Sequence, residues 1–384
     1  GSSSLEGSNF VRRGIQLTIA PDPVTRQVGQ TQQFTVQAFF NDGSSGDATN
    51  LVSWTSSDPA IVSIDVNTGL ATALSPGNVT ILAQADTIND TAQMAVIPGD
   101  PNRIIVGNTG TPGIRFFDIN ATGDALPQRT IAGANTTLGS VDQLAVAGNE
   151  IFASTFGNSV KVFSVLGNGD IAPLRTIQGG NTGFASTAGV AVSGGELFVS
   201  DRNNDTIRVF PATATGDATP VRTIAGVNTT LDGPQHIQVV GDEIFVSDFN
   251  NDAIRVFSRT ANGDVAPIRT LSGVATTILR PSEVIIQGNE MFVNSVTGNR
   301  ISVFNVTASG DVAPLRTLSG VATLLATPQS MSIANGELFV ANESGNNILV
   351  FPVGAANNTA PIRNLSGANT GISGPRSVVP IFLP

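Results

Sequence analysis

The chain has 384 residues, enough for two or three domains, and is 40% hydrophobic but only 12% charged. Its net charge of −10, with Lys161 as the single lysine, argues against a nucleic-acid partner, because phosphate binding requires clustered Lys and Arg. The lack of cysteine excludes disulfides, thiol nucleophiles, thiolate metal sites and iron–sulfur clusters, and no apolar run approaches the roughly 20 residues of a membrane helix.

In chain order, residues 1–13 open with Gly1-Ser2-Ser3-Ser4 and read either as a cloning scar or as the tether left by a removed signal sequence. Residues 14–97 alternate apolar and polar side chains as half-buried strands do. Examples are Gln16-Leu17-Thr18-Ile19, Gln33-Phe34-Thr35-Val36 and Val79-Thr80-Ile81-Leu82. Gly, Asp, Asn and Pro clusters separate these runs and no helical period intervenes, which predicts a β-sandwich. Residues 98–102, with Pro98 and Pro101, form a short stiff linker.

Three segments of the first unit carry a more specific signal: Val52-Ser53-Trp54-Thr55-Ser56-Ser57-Asp58-Pro59, Ile61-Val62-Ser63-Ile64-Asp65 and Thr68-Gly69-Leu70-Ala71-Thr72-Ala73. Together with Pro76-Gly77-Asn78-Val79 they resemble the bacterial immunoglobulin-like domain of group 2. The resemblance implies a spacing, adhesion or display role on bacterial surfaces and no catalytic residues. Trp54, the only tryptophan, is read as a core anchor.

Beyond residue 102 one pattern recurs. Arg129, Arg175, Arg222, Arg269 and Arg316 are each followed by Thr, and Arg363 by Asn364, at a period of 46 or 47 residues. Each period holds four short strands, as in Gly189-Val190-Ala191-Val192, Glu196-Leu197-Phe198-Val199-Ser200, Thr206-Ile207-Arg208-Val209-Phe210 and Val221-Arg222-Thr223-Ile224. Four strands per period without helices predict propeller blades. The array begins on a second strand at Arg103 and ends on a first strand at Arg376–Pro380, so these two pieces complete one blade and close the ring. The expected fold is therefore all-β: an immunoglobulin-like β-sandwich at 14–97 followed by a six-bladed β-propeller at 103–384. The segment Phe245-Val246-Ser247-Asp248-Phe249-Asn250-Asn251-Asp252 resembles NHL-type propeller repeats, a class that includes binding scaffolds, lyases and lactonase-like enzymes.

Aligning the repeats places one pair per blade at the entrance of each first strand. The pairs are Asp142/Gln143, Ala188/Gly189, Gln235/His236, Ser282/Glu283, Gln329/Ser330 and Arg376/Ser377. Asp142, Gln143, Gln235, His236, Glu283, Gln329 and Arg376 are the candidate binding residues. His236 and Glu283, in adjacent blades, are the candidate acid–base pair. A transition-metal hydrolase needs several convergent His, Glu or Asp ligands, and too few are offered for a metal or other cofactor to be expected. Asp201 and Asp248 begin the turns after second strands and are read as closing those turns on their own amides. Asp124, Asp170, Asp217, Asp264 and Asp311 precede the repeated arginines by five residues and are read as their partners. The ten Asn-X-Ser/Thr sequons are by-products of Asn- and Thr-rich loops.

The leading functional expectation is a bacterial surface or secreted protein, lipid-anchored or not, that binds a protein, a glycan or its own copies. The alternative is a propeller enzyme, lactonase- or lyase-like, acting through His236 and Glu283 at the channel mouth.

Overall fold

The computed structural model describes residues 13–97 and 102–382. The stretch 1–12, most of the expected tether, and positions 98–101 of the expected linker lie outside the described residues. The chain divides into two compact units, one within residues 1–101 and one spanning Asn102–Ile381.

Among the described residues, the first unit is built from three small sheets. Gly14–Ala20 pairs with Thr35–Phe40, which pairs with Ser45–Asp47. A second sheet runs in the order Val24–Gln27, Ile88–Ile97, Gly77–Ala85, Ser53–Ser56, and a third joins Thr31–Gln33, Leu70–Ala73 and Val62–Ile64. Period-two burial in Thr35–Phe40 turns Val36, Ala38 and Phe40 inward. Trp54 and Phe34 are completely enclosed, with ring centroids 6.2 Å apart. The Trp54 indole N–H donates to the Thr49 carbonyl at 2.9 Å, which satisfies its one polar atom. Gly69, at φ 72°, passes so close that a Cβ would lie 2.7 Å from the indole.

The second unit contains six four-stranded sheets. A representative blade runs Pro234–Val240, Glu243–Asp248, Ala253–Ser258, Arg269–Leu271 from the inside outward. Neighbouring first strands lie side by side around the ring, and the last, Pro375–Ile381, lies beside both Pro328–Ala334 and Val141–Ala147. That last strand pairs antiparallel with Arg103–Asn108, Val378 opposite Val106, so the two ends of the array share one sheet. Six parallel bridges, from Ile131↔Gly169 round to Gly123↔Leu365, stitch each outer strand to the next blade.

Apolar side chains fill the gaps between blades. Phe198, Ile207, Val209 and Ile224 of one blade pack with Ile237, Ile244, Val246 and Phe257 of the next. This is why second and third strands are apolar on both faces: each blade is covered on both sides by its neighbours.

Two sequence expectations are corrected here. Five of the six repeated arginines do not pair with the Gly-Asp turns. Arg175, Arg222, Arg269, Arg316 and Arg363 instead pair with Glu150, Glu196, Glu243, Glu290 and Glu337 at the starts of second strands. Antiparallel register brings the start of strand two level with the start of strand four, and arginine is long enough to reach across strand three. Each turn aspartate is committed elsewhere: Asp264 accepts from the Asn228 backbone N–H at 2.7 Å and its Nδ2 at 3.0 Å, capping a 3₁₀ turn, Val227–Thr229, that follows the preceding blade. Asp201 does not close its own turn through backbone amides either. It accepts from the N–H groups of Ala185 and Ser186, fixing the loop that enters the first strand, and from Arg208 at 2.8 Å. Asp248 does the same through the Asp232 N–H at 2.7 Å and Arg255.

Candidate functional site

All the candidate residues but Glu283 sit on β-bulges, and Glu283 immediately precedes its first strand, Val284–Gln287. Register slips between Val141 and Leu144, Thr187 and Val190, and Pro234 and Ile237, so that two residues of each of these first strands face one of the second and one extra residue enters. The bulges are propped from the second strands. Ser247 Oγ accepts from the His236 N–H at 2.9 Å and donates to the Ser282 carbonyl at 2.9 Å; Asn294 Oδ1 accepts from the Glu283 N–H at 2.7 Å. Gly189 allows the next inner strand to close in, since a Cβ there would lie 2.3 Å from the Gln235 carbonyl oxygen.

The bulges split the candidates into two layers. Asp142, Gln235, Gln329 and Arg376 form an outer cap together with Ser282 and two residues the sequence reading missed, Arg202 and Glu343. Arg202 Nη2 donates to Asp142 at 2.7 Å and Gln235 at 2.8 Å, while Arg376 Nε lies 2.9 Å from Asp142. Gln329 accepts from Ser282 at 2.8 Å and donates to Glu343 at 2.6 Å, and Arg376 reaches Glu343 at 3.4 Å. Phe156 lies under both guanidiniums, 5.7 and 5.3 Å from their carbons. Every blade contributes, and the two arginines balance the two carboxylates. The end of the channel expected to be its open mouth is thus closed, with only about 10 Å³ left beneath the cap. Arg202 and Glu343 each follow the last residue of a second strand, a repeat position otherwise held by Thr109, Phe156, Phe249 and Val296. Aligning that position would have found them.

The inner layer holds Gln143, His236 and Glu283. His236 Nε2 lies 3.2 Å from Glu283 Oε1, Gln143 Nε2 donates to the same oxygen at 3.1 Å, and the Met331 N–H donates to Oε2 at 2.7 Å. His236 is 9% exposed and Glu283 3%. Burial pushes Glu283 up to about 8, against hydrogen bonds from Ser330, Met331 and Gln143 that favour its ionised form. Burial likewise takes His236 down to about 4, with the Val284 carbonyl pulling weakly the other way. Near neutral pH the pair is therefore an uncharged imidazole beside a protonated carboxyl. His236 Nδ1 makes no hydrogen bond of normal geometry.

This layer is the floor of a cavity of about 350 Å³ that runs along the inner strands away from the cap. The tier next to the floor consists of Ala145, Ala191, Gln238, Ile285, Ser332 and Val379, one from each inner strand. Among the described residues no three His, Cys, Asp or Glu side chains are grouped to hold a metal ion. No helix among them is long and apolar enough to cross a membrane.

Known proteins resemble the two units separately. Residues 16–96 match the family described as bacterial Ig-like domain (group 2), and residues 94–280 match the lactonase family, described as a 7-bladed β-propeller. Ice-binding protein 1 of Shewanella frigidimarina is 41% identical over 73 residues, which cover 18% of this chain and 8% of that protein. Among solved structures, the nidogen/laminin complex superposes with a TM-score of 0.53 at 14% identity, covering 73% of this chain and 98% of the other. A protein from Lactobacillus plantarum gives 0.53 at 12% identity, with 74% and 100% covered. At these identities the structural likeness speaks for the fold alone. The chain is thus a bacterial Ig-like domain of group 2 followed by a β-propeller whose first part matches the lactonase family.

Proposed function

We propose that the chain is a lactone-hydrolysing propeller carried at a bacterial surface, with residues 14–97 as spacer and residues 103–384 as a six-bladed ring of NHL-type repeats. The observation that carries this reading over a pure scaffold is the His236–Glu283 pair at the floor of an open cavity. The lactonase match supports it, and the Ig-like domain supports the extracellular location.

Two titratable groups driven to opposite sides of neutrality define a base and an acid. Water attacks the lactone carbonyl carbon and gives its proton to the neutral His236 imidazole. The ring C–O bond breaks, and the Glu283 carboxyl protonates the departing oxygen, releasing a hydroxy acid. A proton then crosses from His236 to Glu283 over their 3.2 Å contact and restores the starting state. No metal is required by these steps.

Lactone hydrolysis followed by pH-stat tests the reading. Glu283→Gln and His236→Asn should each lower kcat by about 100-fold or more. The wild-type profile should be bell-shaped, falling below about pH 4 as His236 protonates and above about pH 8 as Glu283 ionises. Unchanged rates in both variants would overturn it.

A protein or glycan partner, or a second copy of the chain, is the second reading. It is favoured by Leu174, Val221, Ile268, Leu315 and Ile362, aliphatic residues exposed just before five successive outer strands. Light scattering at high concentration checks the self-associating form, and strictly monomeric particles would remove it.

A further inference from the structure

We infer that the channel accepts an uncharged lactone or ester with an aliphatic body and rejects phosphorylated or carboxylated sugar lactones; this rests on the hydrolase reading above. Among the described residues that line the cavity, none is Arg or Lys, and the only ionisable ones are His236 and Glu283 on its floor. Between about pH 4 and pH 8 both of these are uncharged. A phosphate or carboxylate drawn into the cavity would lose its water without gaining a cation, a backbone nest or a helix N-terminus in return.

The arginines that could have served, Arg202 and Arg376, are on the far side of the floor and are already paired with Asp142 and Glu343. Freeing either would break the cap and take from the buried Asp142 one of its two guanidinium partners. The net charge of −10 adds a repulsive field for any anion.

The walls favour hydrocarbon. The tier next to the floor has four apolar members and two neutral polar ones, Gln238 and Ser332. Of those two, Gln238 accepts the Ile286 N–H through its amide oxygen at 2.5 Å, which leaves a neutral NH2 donor on the wall. The tier beyond it, Val146, Val192, Val239, Ile286, Ile333 and Pro380, is aliphatic throughout. A cavity of about 350 Å³ is at the small end of the range for ligand sites, so one small ring with a short alkyl chain fills it. The ester group then meets the polar floor and the chain lies along the walls.

The experiment compares δ-decalactone, glucono-δ-lactone and 6-phosphoglucono-δ-lactone as substrates of the full chain at pH 7, with binding measured in parallel by calorimetry. The expected result is a kcat/KM for δ-decalactone at least about tenfold above that for the phosphorylated lactone. The Ala191→Arg variant, which adds a cation to the wall, should narrow that ratio. A preference for the phosphorylated lactone by the wild type would overturn the inference while leaving the hydrolase reading in place. If no lactone is hydrolysed, the hydrolase reading falls; δ-decalactone binding without phosphorylated-lactone binding would still support the ligand class, and binding of neither would overturn it.

Discussion

The inner ring and the outer rim of the propeller are built from the same six repeats yet follow opposite rules. On the rim the residues recur: an Arg–Glu pair in five blades and a turn Asp in five, with Asn358 taking the aspartate's place in the sixth. At the bulge of the inner strands no such regularity survives; Gln143, Gly189, His236, Glu283, Ser330 and Ser377 hold one structural position. A residue needed for blade-to-blade stitching must be present at every interface. A residue needed for a single ligand has to occur once. Recurrence therefore marks architecture, and its loss marks the place where a site can be built.

Substitutions can break or sharpen this contrast. The largest expected effect is on the stacked interior. Phe245, 1% exposed and packed between two blades, should cost about 3–5 kcal/mol when changed to Ala, read from denaturant midpoints. A loss below about 1 kcal/mol would mean the blades are not stabilised by interdigitation.

The next concerns the inner ring and pH. Glu283 titrates near 8 in the folded chain instead of 4.5, so the folded state holds an extra proton and stability falls as pH rises through that window. His236 titrates near 4 instead of 6.5, so its contribution rises with pH between those values and offsets Glu283. Above pH 6.5 only the Glu283 effect remains. Stability should drop by about 1 kcal/mol per pH unit between 6.5 and 8, and Glu283→Gln should flatten that slope. A slope equal in the wild type and the variant would contradict the buried acid.

On the rim the effects should be smaller. Asp264→Ala removes the cap of one 3₁₀ turn and should cost about 1 kcal/mol without changing hydrolysis. Arg269→Ala loses a half-exposed pair whose guanidinium holds Glu243 below the ordinary carboxylate range, together with a contact 5.8 Å from the Phe245 ring. Its cost should be about 0.5–1 kcal/mol and should shrink in high salt. Effects of similar size at both positions on kcat would erase the distinction between rim and ring.

Much of the molecule was legible in the linear pattern because the forces involved are local or repeated. Alternating burial in Thr35–Phe40 follows from the two-residue pleat, and the Arg-Thr period followed from each blade needing the same interfaces as its neighbours. The pairing of Arg103–Asn108 with Pro375–Ile381 could be anticipated because an array that opens on a second strand and ends on a first has one complementary edge at each end. The partner of each repeated arginine was misread because sequence proximity favours an aspartate five residues away, whereas antiparallel register favours a glutamate roughly 26 residues away.

The sequence by itself determined the all-β class, the Ig-like unit with Trp54 at its centre, the four-strand period and the inward ring of unlike residues. Each of these depends on spacing and polarity alone. Only the tertiary structure decided that β-bulges split the ring into a neutral ion-paired cap and a buried His236–Glu283 floor. It also decided that the channel opens away from that cap. Those outcomes depend on which side chains meet across the six inter-blade gaps and on how much water burial removes from each, and neither quantity is carried by the order of residues within one blade.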